Sequence, residues 1–300
     1  MGPLPGRQLP SPQDERRPLL GNRVKRSVYG VVLAVVALPA AARDQIIKLS
    51  EADAAALQGK TVAVTLHERP SFAAMTAGKM GFGLIGGLAT IKAGNDLINQ
   101  NNVADPAAIL RDNLSSAMRD TYGVRLLEPD KTPTDEKKAK AIAALHPDAD
   151  YVLDVRSGGW GYLYYPTHWG SYWVSYSAQV QLIDTKTGMQ VANEACNVHT
   201  RDNPHPPSRE QLHANEAQLL KDVTASLGWA CMQLLAKDEL GLAADKVAAV
   251  PAALVDPLAA FAANNPAAPE APTSAPPASP VDPASVSPQV GAPAGSTENH

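Results

Sequence analysis

The sequence predicts an α/β (α+β) fold: a single domain built on a mixed sheet of about five strands, in the order β-α-β-α-β-β-β-α, with antiparallel C-terminal hairpins covered by helices. Three observations predict it. Strand-type alternation recurs at 61–68, 150–156, 172–182 and 189–199. Helical spacing of apolar residues fills 105–123, 134–147 and 208–236. Glycine, proline and Asx residues mark the junctions between them.

The elements follow in order. Val62, Val64 and Leu66 alternate in the first strand, 61–68. Asp105-Pro106 places an N-cap before a proline at the first helical position. Ile109, Leu110, Leu114, Ala117 and Met118 then recur at helical spacing until Gly123. Val124 to Leu127 is a short second strand. Thr134 is expected to cap a second helix, with Asp135 and Glu136 at its positive end and Pro147 as its stop. Tyr151, Leu153 and Val155 share one face of the next strand. In 172–182, Tyr172, Val174, Tyr176, Ala178, Val180 and Leu182 share one face, leaving Ser175, Ser177, Gln179 and Gln181 on a face expected to be wet. Asp184 to Gly188 (DTKTG) is a hairpin turn, and 189–199 returns as the last strand. The helix 208–236 carries Leu212, Leu219, Leu220, Val223, Leu227, Cys231 and Leu234 as its apolar stripe.

Composition separates this middle from the ends. The chain of 300 residues has 26 Lys+Arg and 30 Asp+Glu, a net charge of −4, which gives no basic field for nucleic acid. Residues 1–42 hold six bases and two acids. Arg23, Lys25 and Arg26 precede the apolar run Val28–Leu38, and Ala40-Ala41-Ala42 supplies the small residues of a cleavage site, so 1–42 is expected to be a cleaved export signal. Residues 251–300 hold eleven prolines, four acids, no base and one aromatic residue, Phe261. Such a segment buries too little to offset its ordering entropy, so a disordered Pro/Ala-rich tail is expected. Residues 43–250 are left as the globular domain.

The segments ADYVLDVRSG (149–158) and YSAQVQLIDTKTGMQVA (176–192) carry an alanine-aspartate-tyrosine, strand, hairpin, strand, aspartate-x-x-threonine-glycine pattern. It falls on Ala149, Asp150 and Tyr151, and on Asp184, Thr187 and Gly188. With this pattern the chain, over roughly 60–236, resembles the small α/β domain shared by curli-secretion lipoproteins, the N-terminal domain of the Tol-system propeller protein and penicillin-binding-protein activator lipoproteins. The resemblance implies a role near envelope assembly, secretion or cell-wall synthesis. The chain departs from the lipoprotein members in that no cysteine precedes Ser50.

Two segments stand out as candidate sites. In 159–176 (GWGYLYYPTHWGSYWVSY) three of the four tryptophans and five of the eight tyrosines gather, and Gly158-Gly159 shifts the apolar parity as a bulge would. Aromatic rings with a polar tip favour protein and glycan surfaces, so Trp160, Tyr162, Tyr164, Tyr165, Trp169, Tyr172 and Trp173 are the candidate partner-binding residues. Their alternative is to pack the hairpin and cover one sheet face. The segment 71–92 is glycine-rich. Gly81-x-Gly83-x-x-Gly86 matches a dinucleotide fingerprint in letters but lies about a dozen residues past the strand, too far to meet a pyrophosphate. Gly83-x-x-x-Gly87 permits close helix contact, which makes Phe82, Gly83, Leu84, Ile85 and Gly87 candidate membrane or subunit contacts, against a flexible apolar loop or a buried short helix.

Cys196 and Cys231 are the only cysteines, and in an exported chain they are expected to form one disulfide. Seven scattered histidines show no metal-ligand spacing; His199, His205 and His213 are expected in solvent around a proline-rich loop. No nucleophile elbow is present. The expectation is a non-enzymatic periplasmic accessory protein of the cell envelope, without cofactor or metal, binding an envelope protein. Peptidoglycan or a membrane surface is the alternative partner, an oligomer resembling a curli-type channel component the alternative form, and outer-membrane association the alternative location.

Overall fold

The computed structural model describes residues 46–80 and 83–265, without the side chains of Lys79, Met80 and residues 83–85. The expected export signal and most of the expected tail lie outside these residues. The chain begins with α1 (Glu51–Ala56), capped by Ser50, whose Oγ accepts from the Asp53 N–H at 3.1 Å. The strands are β1 (Thr61–Val64), β2 (Phe72–Ala74), β3 (Arg125–Leu126), β4 (Tyr151–Tyr165), β5 (His168–Asp184) and β6 (Met189–His199). The remaining helices are α2 (Ala77–Met80), α3 (Gly83–Gln100), α4 (Ala107–Tyr122), α5 (Ala139–Leu145), α6 (Arg209–Asp238) and α7 (Pro257–Asn264). They form one mixed sheet in the order β3-β1-β4-β5-β6, the predicted class, with β2 also on β4. The predicted skeleton is present, and α1, β2, α2, α3 and α7 are added to it.

Pairing follows from the pattern. Both β1 and β2 lie parallel to β4 along the same side, β1 at Tyr151–Leu153 and β2 at Trp160–Tyr162. The β4–β5 hairpin is antiparallel and shifts register between Ser157 and Gly159, the bulge that the glycine pair predicts. The β5–β6 turn closes as expected: Asp184 Oδ1 accepts from the Thr187 N–H at 2.8 Å, and Gly188 takes a φ of 67°.

One sheet face carries the main core, where α4 and α6 pack over Leu153, Val155, Val174, Tyr176 and Val180. At the β1 end α5 covers the other face, joining Ala63, Val152 and Ile183 to Ile142 and Ala143 in a second apolar cluster. This double cover explains why Val62, Ala63 and Val64 are all buried, as in parallel strands with helices on both sides. α3 lies directly on β2, because a Cβ at Gly94 would stand 2.0 Å from the Phe72 carbonyl oxygen.

Several expectations change. The first strand ends at Val64 rather than 68, since His67 is turned onto Asp154 and Thr134. Thr134 does not cap a helix: its N–H donates to the Leu66 carbonyl at 2.8 Å, and α5 starts only at Ala139. Where it is described, the glycine-rich segment folds as β2, the short helix α2 and the front of an 18-residue α3. α6 opens with a Ser208–Gln211 capping box, then breaks: Asn215, Glu216 and Ala217 all sit at φ of 51–56°, in the left-handed region. Beyond the break the stripe ends on Met232 and Leu235, so the expected Leu234 is exposed. Within the expected tail, Asp256 caps α7 and Leu258 is buried against the core.

Cys196 on β6 and Cys231 on α6 form the expected disulfide, tying helix to sheet across 35 positions of chain. Closing a loop of that size restricts the unfolded chain. The Cys196→Ala/Cys231→Ala variant is expected to lose about 3–4 kcal/mol by urea denaturation. A loss under about 1 kcal/mol would show that the bridge merely decorates a fold already fixed by packing.

Candidate functional site

The aromatic segment divides by strand parity. On the helix-covered face, Trp160, Tyr162, Tyr172 and Tyr176 are buried. Phe72 stands edge-on to Trp160 at 5.0 Å, and Tyr162 stands edge-on to Tyr172 at 5.4 Å, a favoured ring geometry. The polar tips of Trp160, Tyr162 and Tyr176 are hydrogen-bonded. Trp160 Nε1–H donates to the Pro70 carbonyl at 3.0 Å, Tyr162 OH bonds His213 Nε2 at 2.9 Å, and Ser157 Oγ–H donates to Tyr176 OH at 3.1 Å. Burial pushes the Tyr162 phenol up to about 12 and raises Tyr176 as well. His213, expected in solvent, is half-buried in this cluster. Trp160, Tyr162 and Tyr172 are thus the root of the hairpin.

The tip is different. β2 follows β4 only to Tyr162, where the Met75 N–H donates to its carbonyl. On the other side the last backbone ties are Tyr172 N–H to Pro207 and the bridge of Ser171 to Ser208. The backbone of residues 163–170 therefore runs on about 10 Å past its last strand neighbours, at roughly 3.3 Å per residue. The two-residue connection Pro166-Thr167 turns the chain, and Trp169, 49% exposed, donates its indole N–H to the Pro166 carbonyl at 2.7 Å. Trp173 is half-buried, with the Arg201 guanidinium 5.9 Å above its ring and His199 edge-on at 5.7 Å. Tyr165 OH donates to the Arg201 carbonyl at 2.6 Å. Tyr164 is half-buried and packs against the main core. Trp169, Trp173, Tyr165 and Arg201 make one surface, held by the Trp169 and Tyr165 hydrogen bonds and by the Arg201–Trp173 stack. Arg201 and His199 are its members that aromatic counting misses; His199 ends β6 and Arg201 follows in the turn after it.

Of the glycine-rich candidates, Phe82 lies outside the described residues, as do the side chains of Leu84 and Ile85. Gly83 begins α3, and Gly87 is exposed on it.

Two polar clusters had no signal in the sequence. The β5 face expected to be wet is covered by the chain at 134–138 only at its Gln181 end, Ser175, Ser177 and Gln179 staying half-exposed, and Asp154 of β4 is fully buried beside Gln181. Its carboxyl bonds His67 Nε2 at 2.5 Å, Thr65 Oγ at 2.7 Å, Arg156 Nη1 at 2.8 Å and Gln181 Nε2 at 3.0 Å. His67 Nδ1 meets the Thr134 carbonyl at 3.0 Å. Glu239, after the last turn of α6, is buried beside Glu194 of β6. No hydrogen bond of good geometry reaches either of its carboxyl oxygens. Burial first, then repulsion from Glu194, push Glu239 up to about 9.

Among the described residues, no three His, Cys, Asp or Glu side chains gather as a metal site. A cavity of about 520 Å³ between the 205–211 segment and α7 is lined by His205, Pro206, Pro207, Gln211, Leu258 and Phe261. His205 is the only titratable group in its lining.

No protein-family model matches the chain, and no curated protein matches it. Solved structures similar to it include the PelC dodecamer from Paraburkholderia phytofirmans, 19% identical over 56% of this chain and 84% of that one, with a TM-score of 0.25. Lipoprotein GNA1162 from Neisseria meningitidis is 12% identical over 54% and 92%, with a TM-score of 0.21. The C-terminal domain of LpoB from Escherichia coli is 17% identical over 47% and 84%, with a TM-score of 0.18. The hairpin tip and the polar clusters are features of this chain.

Proposed function

We propose that this protein is a non-enzymatic accessory protein of the periplasmic cell envelope that holds a partner protein by the projecting end of its β4–β5 hairpin. The carrying observation is Trp169, half exposed at the tip of a hairpin whose root is a locked aromatic core. An exposed ring that is already ordered loses little conformational freedom on binding, which is why such rings act as anchors. Trp173 under Arg201 supplies a second ring and a cation beside it. The basic and apolar N-terminal segment supports export, and the disulfide suits an oxidising compartment.

The test is an affinity capture from envelope extract, comparing the wild type with Trp169→Ala/Trp173→Ala, with folding followed by circular dichroism. The double variant is expected to keep its fold and weaken the partner at least thirtyfold, the cost of about 2 kcal/mol typical of an aromatic anchor. Equal recovery of every protein by both chains would remove the hairpin tip as the contact. Binding to purified peptidoglycan that depends on the same two rings would turn the reading from a protein to a glycan.

A further inference from the structure

Local preference and tertiary contact disagree at the break in α6. The sequence reads as one helix over 208–236, and in a continuous helix Leu212, Leu219 and Val223 would fall in line, seven and then four positions apart. Instead Ala214 is extended, with a ψ of 154°, and Asn215, Glu216 and Ala217 wind left-handed. Asparagine tolerates that region. Glutamate and alanine do not, and both are among the better formers of right-handed helix. Nothing local favours the break.

Its support comes from the hairpin root. The Tyr172 N–H donates to the Pro207 carbonyl at 2.9 Å, Ser171 forms a β-bridge with Ser208, and Tyr162 OH bonds His213 Nε2 at 2.9 Å. Ser208 and Gln211 close a capping box, so 209–213 is a short helix of its own, clamped to the root. A continuous α6 would carry this piece along the axis of 218–238 and give up all three ties. The break also has room to rearrange. A cavity of about 300 Å³ lies beside it, with Ala214, Asn215 and Gln218 on one side and Ala260 and Asn264 of α7 on the other.

We propose that 208–217 is a two-state element, broken when it clamps the hairpin root and continuous with the rest of α6 when it lets go. Resting on the hairpin tip as the protein contact, the partner binds the clamped form. The two states are closely matched. Release regains right-handed backbone at 215–217 and keeps Leu212 in line with the apolar stripe; clamping gains hydrogen-bonded ties, each of modest net worth. Left-handed backbone in such residues persists only where surrounding contacts hold it, and here those contacts all belong to one hairpin. Clamping fixes Tyr162 and Tyr172, from which the tip extends, so the exposed rings are presented already ordered. A partner that uses those rings draws the equilibrium to the clamped form.

The test measures the distance between nitroxide labels on Glu210→Cys and Lys237→Cys in the full chain, both positions being exposed and the native cysteines joined to each other. A continuous helix sets the labels about 40 Å apart at 1.5 Å per residue, and the broken helix sets them closer. Both populations are expected in the wild type. Glu216→Gly relieves a left-handed residue and weakens a right-handed helix, so the ratio should move roughly tenfold toward the shorter distance. Tyr162→Phe removes only the hydroxyl that holds His213 and should move the ratio about fivefold the other way. Absence of the longer distance from both the wild type and a folded Tyr162→Phe identifies a fixed kink and overturns the proposal. A wild type found wholly at the longer distance overturns it too. Protein eluted from the envelope capture, added back in excess, is expected to empty the longer population; unchanged populations overturn the coupling to the tip. Equal capture by Trp169→Ala/Trp173→Ala defeats the tip reading instead, and the distances alone then decide the switch.

Discussion

Glu239→Gln is expected to stabilise the fold by about 3 kcal/mol at pH 7, and by about 6 kcal/mol above pH 9. Glu239 is 1% exposed and faces Glu194 with neither carboxyl oxygen hydrogen-bonded in good geometry. Burial and Glu194 raise its pKa from 4.5 to about 9, and the Glu194 backbone N–H, which favours the charged form, is too weak to offset them. The folded protein therefore holds a proton on Glu239 that the unfolded chain releases above pH 4.5. The resulting stability is fully present below pH 4.5 and is lost as the pH rises to about 9, beyond which the contribution is flat. An amide of the same shape has no proton to give up. Urea denaturation of the two chains at pH 4.5, 7 and 9 measures this: the curves should nearly coincide at the lowest pH and diverge upward. Parallel curves would mean that Glu239 is solvated or partnered in the folded protein.

The second large effect lies on the opposite face of the sheet. Asp154→Ala is expected to cost about 3–5 kcal/mol, because it leaves His67, Arg156 and Gln181 without the group that joins them. Replacing the whole cluster by packed apolar residues would be far less costly; removing its centre alone strands buried polar atoms. The chain at 134–138 is held over the cluster through Thr134 to His67 and Leu66, and through the Lys137 carbonyl to Gln181. Limited trypsin digestion of Asp154→Ala should therefore cut first at Lys137 or Lys138, before any global loss of structure. First cleavage elsewhere would show that the cluster does not hold this segment.

Much of the scaffold could be read from local pattern. The strand pairs 151–156, 172–182 and 189–199, the Asp184–Gly188 turn, the Gly158-Gly159 bulge and the Pro106–Gly123 helix depend on side chains within a few residues of one another. The two cysteines were legible as a pair because there are only two. The hairpin was legible as aromatic, but its division into a buried root and an exposed tip was not. That division depends on where β2 and the 207–208 segment stop pairing, which residues about 90 and about 35 positions away decide. The glycine just past 71–92 makes the same point: Gly94 is required by the nearness of the Phe72 carbonyl, a contact no local rule contains.

By itself, then, the sequence determined the class of fold, the order of its central elements and the aromatic character of one hairpin. Periodicity and turn chemistry are properties of neighbouring residues. Tertiary structure decided which rings face water, that one end of a polar strand face became part of the buried Asp154 cluster, and that Glu239 met Glu194. Each depends on what a distant segment covers, and burial is set by the covering segment as much as by the residue that is covered.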